Sequence, residues 1–217
     1  MTTSSPPSAD DQSKRLTEVI LKGDEVDAAK IARELASGRS ETNEVVDTIS
    51  ETMNIVADLH EVERYTPEQV SRCERAAEKA LDALRPRLKL EPRRISGRVM
   101  VASLKGDPHA FDKTLLLTML EVGGISSLDG GEELSPEELT TKVSALKPDV
   151  LAISMLTSSA AKGLLETRSR LESSGIMTKV VVYGRGTGSL PEDSGTVVRE
   201  EDSLSALSKI AEILLAL

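Results

Sequence analysis

The chain has 217 residues and a net charge of −9, which suits one large domain or two small ones. Aromatic residues make up 1% of it, so it lacks the stacking platforms and positive charge that nucleic-acid binding requires. The chain contains no apolar run of the roughly 20 residues that a membrane helix needs. The single cysteine, Cys73, excludes an internal disulfide and is interpreted as a small helix residue. The absence of a signal-peptide apolar region predicts a cytoplasmic protein.

The first part of the chain is predicted to be helical. Residues 1–12 are polar and proline-rich, which predicts a disordered leader. Over residues 13–86 the apolar side chains recur at helical spacing in four segments, with breaks at Gly23-Asp24, before Ser40 and before Pro67. Four helices with short connections form a small bundle. A basic, proline-containing linker is predicted over residues 87–95.

After the linker, over residues 96–217, short apolar runs alternate with amphipathic segments. The strands are predicted at Val99–Leu104, Ile125–Leu128, Val150–Met155, Val180–Tyr183 and Thr196–Arg199, and the helices at Asp112–Glu121, Pro136–Leu146, Ser159–Ser173 and Leu204–Leu217. Alternation of this kind predicts a parallel sheet covered on both faces. The predicted fold class is therefore α/β: an N-terminal four-helix bundle followed by a flavodoxin-like (Rossmann-like) five-stranded parallel sheet, in strand order 2-1-3-4-5, with no full helix between the last two strands.

Three polar features follow the predicted strands, at the end of the sheet where ligands of such folds bind. Asp107 and His109 follow the first strand, and a carboxylate close to an imidazole can orient that ring for metal binding. Ser154 ends the third strand and can donate or accept a hydrogen bond. Gly184 follows the fourth strand, where a glycine permits close approach to the backbone.

The order of these features resembles the cobalamin-binding domain family, whose pattern is Asp-x-His-x-x-Gly, then Ser-x-Leu, then Gly-Gly. The lead-in Leu104-Lys105-Gly106-Asp107 is especially similar to the corrinoid proteins of methyltransferase systems. Their helical bundle resembles residues 13–86 as well, at Leu21-Lys22-Gly23-Asp24-Glu25, Met53-Asn54-Ile55-Val56 and Tyr65-Thr66-Pro67-Glu68. The resemblance covers most of the chain and implies cobalamin, a cobalt corrinoid, as the cofactor.

The resemblance also implies a role for each matching residue. His109 would be the lower axial ligand of cobalt in place of the cofactor's own benzimidazole, and Asp107 would hydrogen-bond the other ring nitrogen. Ser154 and Leu156 would line the groove for the nucleotide tail, and Thr157 and Gly184 would also bind the cofactor. In the bundle, Leu59 and Thr66 match the positions that cap the upper face of the corrin.

Three residues depart from the family pattern. Asp112 stands in place of the glycine three residues after His109, Tyr183 replaces the first of the paired glycines, and Arg185 follows the second. A phenol at position 183 would crowd the benzimidazole tail unless its side chain turns away.

The resemblance implies a corrinoid carrier that shuttles a methyl group between partner methyltransferases and is not a complete enzyme by itself. One alternative is a corrinoid-based sensor of light or redox state, in which His60 could reach cobalt from above; the absence of tryptophan weighs against it. Another is a degenerate relative that binds a different tetrapyrrole, such as haem. The oligomeric state and the methyl donor are left open.

Overall fold

A computed structural model of the protein describes residues 9–37, 42–88, 95–107, 109–190, 198–200 and 202–217. The chain divides into a helical unit, Met1–Lys89, and an α/β unit, Leu90–Leu217. The division falls inside the predicted linker 87–95, of which residues 89–94 lie outside the described part of the chain.

The helical unit contains the four predicted helices. They are α1 (Ala9–Leu21), α2 (Glu25–Ser37), α3 (Thr42–Glu61) and α4 (Pro67–Leu84). Gly23 adopts φ +69° after α1, and the Asp24 carboxylate accepts a hydrogen bond from the Asp27 N–H at the start of α2. Thr66 caps α4 in a capping box with Gln69, followed by Pro67 in the first turn.

The predicted leader is wrong for residues 9–12, because α1 already begins at Ala9. Asp10 and Asp11 occupy its first turn, where the helix dipole favours negative charge. The Asp10 carboxylate also pairs with Lys14 one turn later, at 2.7 Å. Residues 1–8 and the predicted start of the third helix at Ser40 lie outside the described residues.

The core of the helical unit is aliphatic, in line with the scarcity of aromatic residues. Cys73 is 1% exposed, its thiol lies 3.5 Å from the Leu21 carbonyl, and burial raises its pKa. The Tyr65 hydroxyl donates to the same carbonyl at 3.1 Å. Cys73 is therefore a packing residue of α4, as predicted.

The α/β unit is a five-stranded parallel sheet in the order β2-β1-β3-β4-β5, which confirms the predicted topology. The strands are β1 (Arg98–Leu104), β2 (Ser126–Leu134), β3 (Val150–Ser154), β4 (Lys179–Tyr183) and β5 (Val198–Glu200), and the helices are α5 (Phe111–Val122), α6 (Pro136–Leu146), α7 (Ala161–Ser173) and α8 (Ser203–Leu215). Between β4 and β5 the described residues form only a 3-10 turn, Arg185–Ser189. Residues 191–197, including the start of the predicted fifth strand, are outside the described ranges.

Strand β2 is longer than predicted, because it continues past Leu128 to Leu134. The pair Gly130-Gly131 is typical of a turn, but here it produces irregularities in the register with β1. A side chain at Gly130 would lie 2.9 Å from the Ala102 side chain, and Gly131 adopts φ +104°. Glycine therefore permits a bulge within the strand.

Alternate residues of the strands face opposite sides of the sheet. One face packs against α5 and α8, with Val99, Val101, Val150, Ala152, Val181 and Tyr183 in its core. The other packs against α6 and α7, with Met100, Ala102, Leu104, Leu151, Ile153 and Met155 in its core. Within the described residues, no helix is long and apolar enough to cross a membrane.

Candidate functional site

Asp107 ties the loop after β1 to the loop after β3. Its side chain is 1% exposed, and its carboxylate accepts hydrogen bonds from the backbone N–H groups of Leu156 and Thr157. It also accepts from the N–H of His109, at 3.3 Å. One buried carboxylate thus orders the turn that carries the histidine and attaches it to the neighbouring strand end.

Two hydroxyl groups strengthen this connection. Thr157 Oγ1 and Ser159 Oγ donate to the Gly106 carbonyl at 3.2 and 2.6 Å. Gly106 adopts φ +98°, a conformation that side chains rarely permit. The loops predicted to flank one site therefore adjoin each other at the carboxyl ends of β1 and β3.

The same carboxylate is the group that the resemblance assigns to the His109 ring. His109 is 1% exposed and lies in the short segment between Asp107 and the start of α5. Burial raises the pKa of Asp107, while the N–H donors of Leu156, His109 and Thr157 oppose that rise. In this arrangement the Asp107 carboxylate accepts hydrogen bonds from backbone N–H groups, and its pairing with the imidazole stays a prediction.

The glycines after β4 pack against the loop after β3. A side chain at Gly184, which adopts φ +107°, would lie 2.7 Å from the Met155 carbonyl, and one at Gly186 would lie 2.8 Å from it. The Gly186 N–H donates to that carbonyl at 3.0 Å. The sequence predicts that glycine here admits a ligand to the backbone; in the structure the close neighbour is the protein itself.

A row of polar residues ends the strands on the face covered by α5 and α8. Ser103, Ser154 and Tyr183 are register partners across β1, β3 and β4 and are 1%, 0% and 0% exposed. The Tyr183 hydroxyl donates to the Asp112 carbonyl at 3.2 Å, and the Ser203 hydroxyl lies 3.4 Å from the same oxygen. The phenol thus reaches the first turns of α5 and α8.

Burial and neighbouring charges shift the pKa values of the acidic groups at this end of the sheet. Asp112 keeps part of its surface exposed, but its carboxyl is surrounded by protein. That burial, with the negative charges of Asp107 and Asp202, raises its pKa to about 7, against the opposing effect of Arg185. Burial raises the pKa of Tyr183 well above its ordinary value, with a further rise from Asp112. The phenol therefore remains a protonated donor.

Leu59 and Thr66 lie at the connection between α3 and α4. The Leu59 carbonyl accepts hydrogen bonds from Arg64 and Tyr65 at 2.8 and 3.0 Å, and Thr66 Oγ1 accepts from the Gln69 N–H at 3.3 Å. Leu59 is partly buried and Thr66 exposed. The Thr66 hydroxyl serves as the helix cap, and the role of either residue in capping a corrin stays a prediction.

Sequence reasoning missed three polar residues. Ser159 donates to the Gly106 carbonyl and Ser203 to the Asp112 carbonyl; the signal for each was a hydroxyl at or next to the start of a predicted helix. Lys113, on α5, is 3% exposed and pairs with Asp129 and Glu132 of β2 at 2.8 and 3.0 Å. A lysine on the apolar face of a predicted helix was the signal for that ion pair.

Comparisons with known proteins agree with the resemblance. Residues 12–85, most of the helical unit, match the family model described as a B12 binding domain. Trimethylamine corrinoid proteins 2 and 1 of Methanosarcina acetivorans are each 23% identical, over 197 and 205 residues, covering 88% and 91% of this chain and 91% and 94% of theirs. Both alignments extend into the α/β unit.

The chain is similar over most of its length to corrinoid proteins, and its helical unit matches the B12 binding domain. The fold agrees: the structure of the monomethylamine corrinoid protein of Methanosarcina barkeri superposes with a TM-score of 0.78 at 19% identity, covering 95% of this chain and all of that one. Cobalamin is the cofactor that the family match implies for this corrinoid relative, as predicted from the sequence.

Proposed function

We propose that this corrinoid relative binds a cobalt corrinoid through His109 and carries a methyl group between partner methyltransferases in the cytoplasm. The observation that carries the proposal is the set of backbone hydrogen bonds to Asp107. They hold the only histidine of the α/β unit at the carboxyl ends of β1 and β3, beside the point where the strand order reverses. Ligands of doubly wound sheets bind at that point.

The residues of this turn suit an imidazole ligand to cobalt. His109 lies within a segment whose two ends are fixed, by the Asp107 hydrogen bonds and by the start of α5 at Phe111. A ligand of this kind needs the neutral imidazole and a partner that orients its ring. Asp107 is the nearest carboxylate in sequence, and Thr157 and Ser159 keep the adjoining loop in place.

A bound corrinoid would supply the cobalt centre that accepts and releases the methyl group. The protein's part is to hold the ring, to set the field at cobalt through His109, and to expose the opposite face to partners. Leu59 and Thr66 of the helical unit are proposed to line that upper face. The methyl donor and acceptor would each be bound by a separate methyltransferase.

Electron paramagnetic resonance tests the ligation directly. The protein is loaded with cob(II)inamide, which has no benzimidazole, so a resolved splitting of the cobalt signal by one axial nitrogen must come from a ligand outside the corrinoid. We expect a triplet splitting with natural nitrogen and a doublet after labelling with 15N-histidine. The splitting should be absent in His109→Ala and present in the matched control His60→Ala.

A splitting that survives in His109→Ala would contradict the assignment of the ligand. A second, equivalent splitting that disappears in His60→Ala would favour the sensor over the carrier. If neither cobinamide nor cobalamin binds to the folded protein, while haem does, the chain is a degenerate relative with another tetrapyrrole. A carrier also requires that loaded protein accept a methyl group from a methyltransferase, which is measured by transfer of labelled methyl.

A further inference from the structure

The side chain of Tyr183 lies where the resemblance implies that the nucleotide tail of the corrinoid enters. Position 183 matches the first glycine of the paired glycines, so a relative with the family pattern has no side chain there. In this chain the position carries a phenol that is fully buried. Its ring packs in the core between the sheet and helices α5 and α8.

The ring is held at both ends. Its base lies on β4, next to Ser154 in the register with β3, and its hydroxyl donates to the Asp112 carbonyl in the first turn of α5. Ser203, the first residue of α8, approaches the same carbonyl. Turning the phenol out of the core would expose an aromatic ring to water and break its partly buried hydrogen bond, and both changes are unfavourable.

The backbone beside Tyr183 is closed as well. The Gly186 N–H donates to the Met155 carbonyl, and a side chain at Gly184 or Gly186 would collide with that loop. The loops after β3 and β4 therefore contact each other directly. The space enclosed by the strand ends, α5 and α8 is filled by the phenol of Tyr183.

The phenol is similar in size and shape to the aromatic group of the nucleotide tail. Removing it would leave a cavity of roughly 100 to 150 Å³, a size at which an apolar cavity in a protein core binds a flat aromatic molecule. Benzimidazole is such a molecule. We propose that Tyr183 is a specificity-determining residue that occupies the tail site, so that this chain selects a corrinoid that lacks the nucleotide tail.

This inference rests on the proposed function, and binding measurements separate the two. The dissociation constants of cobinamide, which has no tail, and of hydroxocobalamin are measured by absorbance titration. Wild-type protein should bind cobinamide roughly tenfold or more tightly than cobalamin. Tyr183→Gly and Tyr183→Ala should reduce or reverse that ratio by a similar factor, whereas Tyr183→Phe, which keeps the ring, should leave it unchanged.

A second measurement needs no corrinoid. Free benzimidazole, which is close in size to the removed phenol, should raise the melting temperature of Tyr183→Gly and leave wild type and Tyr183→Phe unchanged, because only the glycine variant has a cavity. Equal affinities of wild type for the two corrinoids, or tighter binding of cobalamin, would overturn the inference and leave the proposed function intact. Binding of neither corrinoid to folded protein would overturn both.

Discussion

The two faces of the sheet differ at the carboxyl ends of the strands. On the face covered by α6 and α7, β1 ends in Leu104 and the residue after β3 is Met155, both in the apolar core. On the face covered by α5 and α8, the corresponding ends are Ser103, Ser154 and Tyr183. One face is apolar up to its last residue, while the other changes from apolar to polar at the carboxyl ends of the strands.

The largest expected effect on the polar face comes from the charge of Asp112. The pKa of its carboxyl is about 7 in the folded chain, against an ordinary value of 3.8, so folding binds a proton. Below about pH 4 the carboxyl is protonated in both states and does not reduce stability. As the pH rises from about 4 to about 7, the free energy of unfolding falls by up to about 4 kcal/mol. Asp112→Asn should remove this loss and be the more stable protein at about pH 8.

Denaturant titrations of both proteins between about pH 4 and 9 test this prediction. The free energies of unfolding should diverge up to about pH 7 and run parallel between about pH 8 and 9. Parallel curves across the whole range would mean that the Asp112 carboxyl is not perturbed.

On the apolar face, Leu104→Ala should cost about 3 kcal/mol of stability, because it leaves a cavity under α6 and α7. Its neighbour Ser103 accepts a hydrogen bond from the Glu133 N–H at 3.3 Å, and Ser103→Ala should cost only about 1 kcal/mol. Urea unfolding of the two variants measures the difference. Equal losses would show that the two faces do not differ in packing.

An equally small effect, about 1 kcal/mol, is expected for Tyr183→Phe. This change removes the donor to the Asp112 carbonyl but keeps the ring, and the Ser203 hydroxyl is still close to that carbonyl. Thermal unfolding followed by circular dichroism checks it. A loss as large as that of Leu104→Ala would indicate that the hydroxyl, and not the ring, holds α5 and α8 in place.

The fold was predictable because its signals are local. Gly23, Thr66 and Pro67 mark helix ends by their own backbone preferences, and the apolar runs of β1, β3 and β4 are bounded by polar turns. Strand β2 was predicted too short because Gly130-Gly131 has the composition of a turn. The pair forms a bulge because it packs against β1, and no local sequence pattern indicates that contact.

The site was predictable in its position but not in its contacts. The order of Asp107, Ser154 and Gly184 along the chain indicates which strand ends meet. It does not indicate that the Asp107 carboxylate binds the backbone of the next loop, since a backbone N–H carries no sequence signal. Nor does it indicate the side of the sheet to which Tyr183 turns, which depends on the register of β4.

The bulge in β2 also has a consequence for self-association. β2 lies at one side of the sheet, where a strand can template pairing with another molecule. The bulge distorts that template, Glu133 adopts φ +50°, and Lys113 fixes the charged segment by its pairs with Asp129 and Glu132. At the other side, the described residues include three of β5, Val198–Glu200. The distorted and charged edge at β2 is therefore a poor template for a strand of a second chain.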